Sequence, residues 1–165
     1  MKMILAADEK WGIARNGNLL CHLPGDLKHF KEQTLGKTLI MGRVTLESLP
    51  GKKGLPGRRN LVLTRNPNYQ AQDAEVVHNR RELIQAVAGL PEDDIIVMGG
   101  EKVYRDFLPE CDTCIITKIQ GDLKADQFFV DLDQDPDFEK EEILPAQEEN
   151  GISYRVFQYT RKTGY

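Results

Sequence analysis

Apolar residues along this chain gather into short continuous runs. Met3-Ile4-Leu5-Ala6-Ala7 has no polar position on either side, which predicts a strand covered on both faces and lying centrally in a sheet. Runs of the same kind end at Met41, Leu63 and Met98, and Cys114 to Ile119 predicts another strand. Phe138 to Pro145 and Ile152 to Thr160 predict an antiparallel hairpin around Asn150-Gly151. Between the runs the spacing turns helical. Pro24 suits a first helical position, where its missing N–H would be unpaired anyway, and Leu23, Asp26 and Phe30 then share one face. Asn79 with Glu82 at capping-box distance, a Leu83/Val87 stripe and Gly89 predict a helix over 79–89. Val103 and Phe107, with Tyr104 and Leu108 beside them, predict another that stops at Pro109. Strands alternating with helices predict an α/β fold, a parallel sheet with an antiparallel edge. Asp8 to Cys21 is polar and rich in Gly and Asn, which predicts a long loop of the kind that serves as a lid.

Asp26 admits two readings. An acid in a first helical turn complements the helix dipole; a lone acid among apolar residues is a candidate for chemistry in a pocket. Met41-Gly42-Arg43 and Met98-Gly99-Gly100 each join a strand to a helix. Singly these are ordinary tight turns, but such junctions aim backbone N–H groups past the strand ends, and two together could flank a pyrophosphate. Arg43, Thr64 and Arg65 are either solvated or suited to a further phosphate on a ribose.

Composition narrows the classes. A length of 165 residues suits one domain, 1–165, that needs no disulfide or metal staple. A net charge of −4 argues against a nucleic-acid binder, and no run reaches membrane-spanning length, so a small ligand is expected. The acidic group Glu139, Glu141, Glu142, Glu148 and Glu149 reads as a solvated face. Cys111-Asp112-Thr113-Cys114 has redox-motif spacing but follows a helix and opens a strand, and His22, His29 and His78 are scattered. No metal site is expected. Three cysteines leave an odd thiol, and Met1 to Ala7 is too short for a signal peptide, which suggests a reducing, cytoplasmic setting.

Taken in order and spacing, Trp11-Gly12-Ile13, Leu23-Pro24-Gly25-Asp26-Leu27 with Phe30, Ile40-Met41-Gly42-Arg43 with Thr45, Glu47 and Ser48, Leu55-Pro56-Gly57-Arg58-Arg59-Asn60, and Met98-Gly99-Gly100 with Val103-Tyr104 resemble the bacterial dihydrofolate reductases over essentially the full length. The resemblance implies an eight-stranded, mostly parallel sheet with an antiparallel C-terminal edge hairpin and about four helices. It also implies hydride transfer from NADPH to C6 of a dihydropterin, with protonation at N5. Asp26 would be the pocket acid, Thr117 its companion, and Cys21 would stand over the pterin. Ile4, Leu5, Leu27, Phe30, Lys31, Leu49, Leu55, Arg58, Met98 and Tyr104 would contact substrate, with Arg58 on its glutamate carboxylate. Ala6, Ile13, Leu19, Gly42, Arg43, Val44, Thr45, Leu63, Thr64, Arg65, Gly99, Gly100, Glu101, Lys102, Val103 and Tyr104 would line the cofactor. Partners would be dihydrofolate and antifolate-type small molecules, bound by a monomer.

Several positions depart from the family pattern. Cys21 replaces a tryptophan, Leu20 a proline, Ala14 a glycine and Leu46 a frequent tryptophan. Asp126 matches an acid that braces the lid, although Ala125 precedes it in place of a frequent glycine. Two alternatives accompany the reductase reading: a same-fold reductase of a riboflavin-pathway pyrimidine, against which Asp26 and Arg58 argue, and a non-catalytic nucleotide-binding module, which Cys21 makes conceivable.

Overall fold

The apolar runs become neighbours. In the computed structural model, which describes residues 1–162, the order of elements is β1 (Lys2–Ala7), β2 (Gly12–Ala14), α1 (Pro24–Thr34), β3 (Thr38–Gly42), α2 (Arg43–Ser48), β4 (Arg59–Leu63), β5 (Glu75–Val77), α3 (Arg80–Val87), β6 (Ile95–Val97), α4 (Glu101–Phe107), β7 (Thr113–Ile119), β8 (Gln127–Phe128), β9 (Phe138–Glu149) and β10 (Ile152–Arg161). Eight strands form one sheet in the order β5-β4-β3-β6-β1-β7-β10-β9, parallel from β5 to β7 and antiparallel at β10 and β9. β1 does lie centrally, between β6 and β7.

Alternation along the strands sorts the core into two layers. Met3, Leu5, Ile40, Leu61, Val97 and Ile116 face α3 and α4, packing with Leu83, Val103 and Phe107. Ile4, Leu39, Met41, Val62, Ile96 and Ile115 face the other way, toward Leu46 of α2 and Phe30 of α1. Helices on both faces explain why the central strands carry no polar side.

Three elements differ from the sequence expectation. The 8–21 segment is not wholly loop: β2 pairs with β8 in a small second sheet. β5 is three residues long, too short to register as a run. β9 continues to Glu149 rather than ending near Pro145, so the hairpin turns tightly on Asn150 (φ 53°) and Gly151 (φ 76°). The capping box of α3 is also skewed: Asn79 accepts the Glu82 N–H at 2.8 Å, but the Glu82 carboxylate reaches the N–H of His78, not that of the cap residue.

The stem of the long loop is held by Asp8. Its side chain is fully buried and accepts the N–H groups of Lys10 (3.0 Å), Gly12 (2.9 Å) and Leu123 (2.9 Å). A Cβ on Gly12 would lie 2.3 Å from that of Ala125, so this crossing tolerates only glycine. Asp8→Ala would strand one buried and two partly buried donors and is expected to lower unfolding free energy by about 2–4 kcal/mol. Asp8→Asn, which keeps one acceptor oxygen, should fall between; equal urea midpoints for wild type and Asp8→Ala would remove Asp8 from this role.

Candidate active site

The C-terminal ends of the parallel strands meet at one edge, and the long loop and α1 close over it, the usual location for a ligand in a parallel α/β sheet. A cavity there is lined by Ala6, Ile13, Leu19, Leu20, Cys21, Leu23, Asp26, Leu27 and Ile119. Asp26 is its one carboxylate. Thr117, buried on β7, donates its hydroxyl to Asp26 Oδ1 at 2.6 Å. Burial pushes the Asp26 pKa up from the ordinary carboxylate value. The Thr117 hydrogen bond and the nearby His29 pull it back, and Glu149 adds to the rise.

Of the residues expected to wall the substrate, only Leu27 lines this cavity with Asp26. Phe30, Leu49, Leu55 and Met98 pack beside Ile4, while Leu27 is exposed at the cavity. At the far end of α1, Arg58 Nη1 donates to Thr34 Oγ1 and its Nε to the Pro56 carbonyl, both at 3.0 Å. Asp26 and Thr34 stand eight residues apart, roughly 12 Å along the helix axis. Burial lowers the Arg58 pKa, and it has no carboxylate partner among the described residues. Lys31 is exposed on the same helix, and Leu5 is buried in the opposite layer.

The two Met-Gly junctions abut. Gly42 N–H donates to the Gly99 carbonyl at 2.8 Å, so that donor is not free, and the junction's remaining N–H groups begin at Arg43. Neither α2 nor α4 has a side-chain cap at its N-terminus. A Cβ on Gly42 would touch Val103 at 3.4 Å; on Gly99 (φ 130°) and Gly100 it would lie 3.3 and 3.5 Å from Thr45 Oγ1. The glycines thus keep open a cradle that side chains would fill, which fits a phosphate-bearing ligand. Gly42 pairs in register with Leu63, which sets Thr64 and Arg65 just beyond the neighbouring strand end. Arg43 is tied to Glu47 at 2.8 Å, whereas Val44 and Lys102 are exposed. Glu101 accepts the Phe128 N–H at 2.9 Å, and Tyr104 donates its phenol to the Ile4 carbonyl at 2.9 Å.

Comparison with known proteins decides the family. The dihydrofolate reductase family model matches residues 1–161. The chain belongs to the dihydrofolate reductase family. It is 35% identical to a dihydrofolate reductase of Neisseria gonorrhoeae, covering 97% of each chain, and 41% identical to dihydrofolate reductase type 3 of Salmonella typhimurium, covering 72% of this chain and 71% of that one. Its structure is similar to that of Enterococcus faecalis dihydrofolate reductase complexed with NADP(H) and RAB-propyl, with a TM-score of 0.84 and 34% identity, covering 98% and 96% of the two chains.

Three anchoring residues escaped the sequence reading. Asn60 fixes the 55–58 loop, accepting from Leu55 N–H and donating to the Leu55 and Arg58 carbonyls. An Asn at the head of an apolar strand, read from the sequence only as the end of the 55–60 motif, is its one signal. Asp8 had none. Glu149, grouped by sequence with a solvated acidic face, is instead half-buried and accepts the Gly25 N–H. The lid brace is present: Asp126 Oδ2 accepts the Asn16 N–H at 2.9 Å. Cys21 is half-buried in the cavity wall beside the half-buried Leu20, while Leu19, which also borders the cavity, is 69% exposed.

The thiols should therefore differ. Cys111 and Cys114 are buried and pushed up to about 11 and about 12, and burial also raises Cys21, helped by Asp26. One thiol per chain should react with a small alkylating reagent, faster as pH rises, and Cys21→Ser should abolish the reaction; labelling of Cys111 or Cys114 in the folded protein would contradict this.

Asp26 also has a stability signature. Its pKa is raised by folding, so the penalty is full above that raised value and is relieved as pH falls through it toward the ordinary carboxylate range. Asp26→Asn should then melt higher than wild type at neutral pH, the gap closing in acid; a Tm difference independent of pH would contradict the burial.

Proposed function

We propose that the chain reduces 7,8-dihydrofolate to 5,6,7,8-tetrahydrofolate with NADPH, using Asp26 as the group that holds a proton at the pterin ring. The observation that carries this reading is Asp26 itself, the one carboxylate of an otherwise apolar cavity, hydrogen-bonded to Thr117 at 2.6 Å. NADPH, when bound, supplies the hydride; the chain supplies orientation and electrostatics. Gly42, Gly99 and Gly100 would line its phosphates, with Arg43, Thr64 and Arg65 toward the adenosine end.

The dihydropterin would lie against Leu27, Phe30 and Leu49 with its exocyclic nitrogen groups on Asp26. Its glutamate tail would run along α1 to Arg58, a half-buried guanidinium already aimed by Thr34 and Pro56 and without an acid partner among the described residues. A carboxylate ligand there restores what burial takes from the cation. Asp26, with its proton affinity raised by burial, favours the protonated pterin, and water passes the proton to N5. The loop from β2 to α1, braced by Asp126, limits the entry of bulk water. Every group named comes from one chain, so a monomer suffices.

Asp26→Asn preserves shape and removes the charge. It should reduce kcat/KM for dihydrofolate about a hundredfold or more near neutrality, with partial recovery on acidification as substrate arrives protonated, while NADPH binding barely changes. Unaltered turnover across pH would refute the role. NADPH consumed with the riboflavin-pathway pyrimidine instead, or NADPH bound with neither substrate turned over, would replace the reading.

A further inference from the structure

Helix α1 begins without a cap of its own. Its N-cap residue is Leu23, whose side chain can accept nothing, and Pro24 brings no N–H, so Gly25 and Asp26 present the first unpaired donors. The missing cap comes from the far end of the chain. Glu149, the last residue of β9, accepts the Gly25 N–H with both carboxylate oxygens, at 2.9 and 3.1 Å. Tyr154 of β10 donates its phenol to Glu149 Oε1 at 2.5 Å. The adjoining turn residue Asn150 donates to the His22 carbonyl at 3.3 Å.

The approach leaves no room for a side chain at residue 25 while the contact is kept. A Cβ there would lie 2.5 Å from Glu149 Oε1 and 2.8 Å from the Tyr154 hydroxyl. Any larger residue would push the Glu149 carboxylate off the N–H it accepts.

We infer that Glu149 is a positioning residue for Asp26: the β9–β10 hairpin caps the helix that carries the pocket acid, fixing how deep Asp26 sits and setting a second negative charge beside it. The inference rests on the reading of Asp26 given above. Among the described residues, five groups act on Asp26 at close range: the Thr117 hydroxyl from β7, His29 from α1 itself, Cys21 from the loop, and Glu149 and Tyr154 from the hairpin. Burial raises the proton affinity of Asp26 most, Thr117 and His29 lower it, and Glu149 raises it. Tyr154, held protonated by burial and by Glu149, stays a donor throughout. An anion at the helix N-terminus is itself stabilising, so the two roles of Glu149 do not conflict.

Glu149→Gln keeps an acceptor for Gly25 and removes the charge. In protein labelled with ¹³C at aspartate carboxyls, with Asp26→Asn assigning the resonance, Glu149→Gln should move the Asp26 titration acid-ward by about half a pH unit. The high-pH midpoint of kcat/KM should move the same way. Glu149→Ala and Gly25→Ala break the cap from opposite sides, so each should raise KM for dihydrofolate and the double variant should be no worse than the poorer single one. An unmoved Asp26 titration in folded Glu149→Gln, or additive effects of Glu149→Ala and Gly25→Ala, would overturn the positioning role alone. Full turnover by Asp26→Asn would overturn the reading beneath it, and the titration distinguishes the two because it needs no turnover.

Discussion

The hydrogen bond from Thr117 to Asp26 joins the sheet to the helix that closes the pocket, across 91 positions of sequence. Thr117 cannot drift, because it pairs with Ala6 of β1 on one side and Val156 of β10 on the other. Its hydroxyl therefore gives Asp26 a fixed depth. The balance at that point is delicate: a buried carboxylate is disfavoured without donors, and more donors would pull its pKa down and weaken its hold on a proton. Burial, opposed by one strong donor and a nearby His29 and reinforced by a neighbouring anion, leaves Asp26 above its ordinary value yet still hydrogen-bonded.

The next residue on β7 points the other way and does a related job. Lys118 lies under Trp11, its Nζ 3.8 Å from the ring centroid and 3.2 Å from the Asp8 carbonyl. Trp11 packs edge-on against Tyr159 and tilted against Phe129. Adjacent residues of one strand thus fix the pocket acid on one face and the stem of the covering loop on the other. Alternation along a strand accounts for this without any special geometry.

What the sequence made legible follows from range. Runs of buried strand, the Pro24 start, the Asn79 cap and the Asn150-Gly151 turn are local patterns, and each matches an element. β2, β5 and β8 are two or three residues long and owe their pairing to neighbours, so no local pattern marks them. Asp26 stood out as a lone acid on an apolar face, but its pairing with Thr117 and the use of Arg58 came from resemblance to a family. Asn60 bonds within five residues, and only its place at the head of an apolar strand marks it. Asp8 and Glu149 are less legible, because each accepts a backbone N–H more than a hundred residues away, Leu123 for Asp8 and Gly25 for Glu149. Composition treats such residues as surface until the chain that brings the donor is in place.

The same ties show where the covering loop keeps its freedom. Its entry is pinned by Asp8 and Trp11, its middle by the Asn16–Asp126 hydrogen bond, and its exit by Asn150 on His22 and Glu149 on Gly25. Between these, Leu19, Leu20 and Cys21 make no hydrogen bond among the described residues, and all three line the cavity. Where the resemblance expects an indole, Cys21 offers a smaller packing surface and only a weak donor, whose pKa burial raises. The fixed points of the loop do not depend on residue 21. A change at residue 21 therefore alters the cavity wall and leaves in place the hydrogen bonds that set Asp26 and its helix.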